Sequence, residues 1–197
     1  MGYAVLPNVV SLRLCEAVAR YVRVKDDGWQ IMRNNAPVFS PNNDGRRLQS
    51  DTLSKEVLEN LGLDLKALCI RECVWEEGDS IEEPTFLLSL PGCLDQLMHQ
   101  DYNDFPDGML DTDVPRSCIL ALESFHILVA DGVYGGRSGE GVNVKRLFVP
   151  QGALLVFRGD LRHAGSLTEK ECLRLHFFLD KPGVIGGKHP SGYTVGD

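Results

Sequence analysis

The chain has 197 residues, 43% of them hydrophobic, and its 28 acidic against 20 basic side chains give a net charge of −8. That length is enough for one domain burying about 70% of the surface its unfolded chain exposes. The acidic balance argues against holding nucleic acid by broad phosphate neutralisation and leaves small or protein substrates, of which a small molecule is the expectation, and no run reaches the roughly 18 apolar residues of a membrane span.

From the start, GYAVLPNVV reads as a short strand ending at Pro7, without the basic segment and long apolar run of a secretory signal. Gly2 does not complete a myristoylation motif, because Leu6 stands where Ser or Thr is required. Ser11 then caps a helix whose apolar positions Leu14, Ala17, Val18, Tyr21 and Val22 recur at helical spacing. Residues 26–50 cluster Gly, Asn, Pro and Asp, which predicts a long loop with at most a brief strand over 29–32 and a solvated Arg46–Arg47 pair. SKEVLENLGLDLKALC predicts a second helical stretch broken near Gly62.

From residue 69 the pattern changes to short apolar runs bounded by turn residues, with strands expected over 84–90, 97–102, 118–124, 125–130, 144–149, 152–158 and 171–179. Seven or eight such strands fit a two-sheet jelly roll, a double-stranded β-helix of the cupin kind, with helices flanking it. The Gly-rich segment 131–143 matches no phosphate-binding motif and reads as a hairpin loop. The organisation expected is one domain over 1–197: an N-terminal strand, helices and loop over 1–68, a jelly-roll core over 69–180, and a loose tail over 181–197. Six cysteines at 15, 69, 73, 93, 118 and 172 include no Cys-x-x-Cys pair, which fits reduced thiols in a cytoplasmic protein.

MHQDYND, residues 98–104, places His99 and Asp101 two apart, so on an extended strand both side chains point the same way and can close on one ion. A third ligand is needed, and His163 follows the apolar strand GALLVFRG. Eleven positions later, ECLRLHFFLD places Cys172, Arg174, His176 and Phe178 on one face and Leu173, Leu175, Phe177 and Leu179 on the other. Both faces look covered, and a buried arginine needs an anion: an internal acid or a ligand carboxylate. Gln96, Gln100 and Tyr102 flank the pair with roles left open, His176 on the face of Arg174 reads either as a core histidine or as a contact to co-substrate or substrate, and His126 in FHILVA reads as structural.

His99-Gln100-Asp101, the distal His163 and Arg174 together resemble the metal triad and arginine of Fe(II)- and 2-oxoglutarate-dependent dioxygenases. GYAVLPNVVSLRLCEAVARYV, LPGCLDQLMHQDY and GALLVFRGDLRHAGS are similar to segments of the phytanoyl-CoA dioxygenase-like branch. The resemblance implies Fe(II) held by His99, Asp101 and His163, 2-oxoglutarate paired with Arg174, O2 as oxidant and ascorbate as a possible reductant. Asp101 stands where halogenating relatives have a small residue, which favours hydroxylation or oxidative demethylation. The rival readings are a non-catalytic metal or 2-oxoglutarate sensor and a cupin-type metalloenzyme that uses no 2-oxoglutarate.

Overall fold

The computed structural model describes residues 2–25, 28–32, 45–50, 57–102, 105, 112–131, 143–184 and 191–192. Strand β1 (Tyr3–Leu6) leads into helix α1 (Leu12–Arg23). Ser11 caps that helix, its side chain accepting from the Leu14 amide at 3.2 Å, while Arg20 and Arg23 in the last turn oppose the carbonyl end of the dipole. Its buried stripe is Cys15, Val18, Ala19 and Val22; the predicted Ala17 faces out. The second helical stretch is broken as its glycine suggests: a helical turn over 57–60 ends before Gly62 (φ +65°), and Asp64 caps a new helix, α2 (Leu65–Arg71), by accepting from Ala67 at 2.9 Å.

The remaining described elements are strands: β2 (Gln30–Ile31), β3 (Arg47–Ser50), β4 (Ser80–Ser89), β5 (His99–Gln100), β6 (Arg116–Ala121), β7 (Phe125–Asp131), β8 (Asn143–Val149), β9 (Leu154–Arg158), β10 (His163–Gly165), β11 (Cys172–Asp180) and β12 (Ser191–Gly192). They form two antiparallel sheets, a major one ordered β1-β9-β6-β11-β4-β3-β2 and a minor one ordered β12-β5-β10-β7-β8. This is the jelly roll expected from the strand pattern. Two segments differ from expectation. Arg47–Ser50 is a strand paired with β4, where a loop was predicted, and Ser191–Gly192 in the expected loose tail pairs with β5. The Gly-rich segment lies outside the described residues except at its ends.

Alternation along β11 divides the apolar interior into two layers. Leu173, Leu175, Phe177 and Leu179 pack with Phe86, Leu120 and Leu154 against the helices. The opposite face joins Cys172 to Ile119, Phe125, Ile127, Leu155 and Phe157 between the sheets. A bulge in β4 puts two residues, Glu83 (φ +49°) and Pro84, opposite the single Phe177, between the pairs His176–Thr85 and Phe178–Glu82. All six cysteines are free; five are buried and Cys73 is exposed.

Candidate metal centre

His99 on β5 and His163 on β10 are direct partners across the minor sheet, with ring centroids 4.5 Å apart. Asp101 follows one residue beyond β5, where its amide donates to the Gly159 carbonyl at 3.1 Å. The three side chains bring one ligand atom each within 4.8 Å of one another. His99 Nδ1 lies 2.9 Å from the Leu97 carbonyl and His163 Nδ1 3.0 Å from that of Leu161, so each Nδ1–H donates to backbone and each Nε2 keeps its lone pair for an ion.

The electrostatics suit a cation. Burial pushes His163 down to about 4, despite the opposing pull of Asp101, so its ring is neutral at pH 7. Burial would raise the Asp101 carboxyl, but His163, His176 and His99 around it hold it well below the usual carboxylate range. Asp101 Oδ1 is 3.6 Å from His163 Nε2. Phe157 packs edgewise on His163 with centroids 4.6 Å apart and fixes the ring from the inter-sheet core.

Arg174 projects from β11 of the major sheet into the same interior and is only 5% exposed. Its guanidinium carbon lies 5.4 Å from the centre of the Phe125 ring, and its Nε has no hydrogen-bond partner among the described residues. It floors a cleft of about 490 Å³ together with Ser89, Ser166 and Cys172, rimmed by the exposed Arg146 and Lys170. Ser166 Oγ in that cleft is likewise buried and without a partner among the described residues. The three triad residues are not among the cleft's described walls; β11 joins the two places, because its next inward residue, His176, sits against Asp101.

Arg47 and His126 differ from the sequence reading, and Gln96, Gln100 and Tyr102 take places that it left open. Arg47 is buried, not solvated: Nη1 donates to Ser89 Oγ at 2.9 Å, and Nη2 reaches the carbonyls of Leu94, Gly165 and Ser166 at 2.7 to 3.1 Å. Gln96 accepts from the Gly165 amide at 2.9 Å, and Gln100 is buried. These contacts brace the strand that carries His163. Tyr102 is a core residue whose hydroxyl donates to Asp180, and its ring leaves Gly159 no space for a Cβ. His126 is exposed, beside Phe148 on the outer face of the minor sheet.

Several solved structures share this chain's architecture. HygX from Streptomyces hygroscopicus, with nickel and 2-oxoglutarate bound, superposes with a TM-score of 0.65 at 16% identity over 92% of this chain and 84% of its own. The non-haem α-ketoglutarate-dependent epimerase SnoN from nogalamycin biosynthesis gives 0.66 at 13% identity over 100% and 89%. A Pseudomonas putida prolyl-4-hydroxylase gives 0.58 at 16% over 92% and 94%. The fold is theirs. No protein-family model matches the sequence, nor does any curated protein.

Proposed function

We propose that this chain is a non-haem Fe(II)- and 2-oxoglutarate-dependent oxygenase that hydroxylates or oxidatively demethylates a small molecule. The observation that carries the reading is the His99–Asp101–His163 cluster, half-buried to buried, in which two imidazoles and one carboxylate converge. Two nitrogens and one oxygen make the facial donor set of Fe(II) oxygenases and leave further positions open. The buried Arg174, with Nε unpartnered among the described residues, fits the anionic end of 2-oxoglutarate.

On this reading His99 and His163 hold the ion through Nε2 and Asp101 through its ionised carboxylate, while Arg174 grips the distal carboxylate of 2-oxoglutarate. Bound iron and 2-oxoglutarate supply the oxidising power, with O2, by oxidative decarboxylation to succinate and carbon dioxide. The protein's part is to fix the ligands, keep the His163 imidazole neutral and exclude water, the last of which Phe157 and Phe125 do on the flanks of His163 and Arg174. HygX has been crystallised with iron, and with nickel, 2-oxoglutarate and hygromycin B, and SnoN with Fe3+, α-ketoglutarate and nogalamycin RO. Those ligands support a small-molecule substrate here. The same architecture serves a hydroxylase and an epimerase; Asp101 argues against halogen transfer, and hydroxylation or demethylation rests on the resemblance of 2–22, 90–102 and 152–166 to the phytanoyl-CoA dioxygenase-like branch. Six free thiols agree with a cytoplasmic setting, and no helix among the described residues is long and apolar enough to cross a membrane.

Anaerobic titration with Fe(II), with and without 2-oxoglutarate, tests this directly. A weak visible charge-transfer band is expected only when both are present, followed by succinate formation once air and ascorbate are admitted. His99→Ala and His163→Ala should lose the band while keeping the fold, since each removes one of three protein ligands, and Asp101→Ala should end succinate formation. A band without succinate would mean a sensor, and metal binding without a band a cupin-type enzyme.

A further inference from the structure

All three triad residues come from the minor sheet or the turn beyond it, yet a polar side chain of the major sheet also reaches them. His176 on β11 places Nε2 3.4 Å from Asp101 Oδ2. That oxygen is buried and has no hydrogen-bond partner among the described residues, His176 standing at ion-pair distance from it, while the other oxygen, Oδ1, is turned toward His163. The His176 ring is held edge-on by Phe178, with centroids 4.7 Å apart and planes at 89°, and Phe178 in turn meets Tyr102 edge-on at 5.5 Å. The position of His176 is therefore set by packing along β11, independently of Asp101.

We infer that His176 is a positioning residue that donates from Nε2 to Asp101 Oδ2, so that the carboxylate offers one oxygen, Oδ1, to the metal. The inference rests on the iron reading above and deepens it. A free carboxylate can swing and chelate through both oxygens, which would fill a coordination position that the co-substrate and O2 require. Engaging Oδ2 from the opposite sheet blocks that swing and leaves the ligand's charge where the two imidazole lone pairs point. Hydrogen-bonded support of this kind behind a metal ligand is typically worth about 10- to 100-fold in metal affinity.

Two substitutions separate this role from packing. His176→Phe keeps the ring and its edge contact with Phe178 but loses the donor; His176→Gln keeps an amide donor near the position of Nε2 but loses the ring. Co(II) is titrated into the full chain without 2-oxoglutarate, following its visible d–d spectrum, and thermal unfolding of each metal-free variant is recorded alongside. The expected result is a Co(II) affinity about 10- to 100-fold weaker in His176→Phe, with an altered spectrum, and near wild-type affinity and spectrum in His176→Gln. Should the phenylalanine variant not fold, His176→Asn, whose amide stops short of the carboxylate, takes its place with the same expectation. Wild-type metal affinity and spectrum in the donor-less variant would overturn the proposal, as would equal losses in both variants that track thermal stability. Loss of 2-oxoglutarate affinity alone would overturn it too, by assigning His176 to the co-substrate. Failure of the wild type itself to bind Co(II), or binding unaffected by His99→Ala, would reject the triad, an outcome distinct from failure of the clamp.

Discussion

Arg47 and Arg174 are both buried on the interior face of the major sheet, and the difference between them lies in what their guanidinium groups meet. Arg47 spends its donors on three backbone carbonyls and Ser89, which makes it a brace. Arg174 faces a cleft and keeps Nε unpartnered among the described residues, which suits the carboxylate-binding role proposed for it. Truncating one side of a buried charge pair costs about 2 to 5 kcal/mol, or roughly 30-fold to several thousand-fold in affinity. Arg174→Ala should therefore weaken 2-oxoglutarate by that much while leaving Co(II) affinity near wild type. Arg174→Lys, which keeps charge but not the planar fork, should fall between. Calorimetric titration of 2-oxoglutarate into the Co(II) form checks both, and an Arg174→Ala protein that loses stability but not affinity would show an internal partner instead. Arg174 was legible in the sequence because a charge on a strand apolar on its other face demands an anion. Arg47 was not, because a four-residue strand of sequence RLQS has no apolar alternation to reveal it.

At the scale of elements, the turn between β9 and β10 carries more of the site than its composition suggests. Its Gly159 carbonyl accepts from both the Asp101 and Tyr102 amides, at 3.1 and 3.0 Å, locking the segment after β5 to the segment before His163. A Cβ on Gly159 would lie 2.8 Å from Cε2 of the Tyr102 ring, closer than carbon atoms pack. Gly159→Ala should thus push Tyr102 and its neighbour Asp101 away, costing about 1 to 3 kcal/mol in stability as overpacking does and weakening metal binding as well. Urea unfolding and Co(II) titration of the same variant test this; a stability loss with metal affinity intact would mean that Tyr102 yields without moving Asp101. The alternation of β11 could be read directly, since strand period sorts its residues into two faces whatever the partners. The contact of His176 with Asp101 could not, because it depends on how two sheets stack, and strand period carries no information about that.

Across the whole molecule, the minor sheet and the turn after β5 supply the three metal-type ligands and the major sheet supplies Arg174 and His176, so the proposed chemistry sits where the two layers face each other. The longer strands of the core were evident from apolar runs and turn residues; the short strands β3 and β12 were not, and the twelve described strands exceed the seven or eight expected. The sheet order, and the return of β12 to pair with β5, were not, because pairings between distant segments leave no local trace. The cysteines distributed through these layers have a practical consequence. Burial raises the thiols of Cys15, Cys118 and Cys172, and that of Cys69 to about 12, whereas Cys73 is exposed. Native protein should therefore take up one equivalent of iodoacetamide quickly, at Cys73, and the remaining five only as fast as the structure opens. Peptide-resolved alkylation then becomes a clock for opening motions. Cys15, Cys69 and Cys118 would time the helix-side layer, and Cys172, in the cleft beside Arg174, the inter-sheet layer. A ligand lodged against Arg174 should slow the Cys172 hand of that clock first, reporting occupancy in a protein that is turning nothing over.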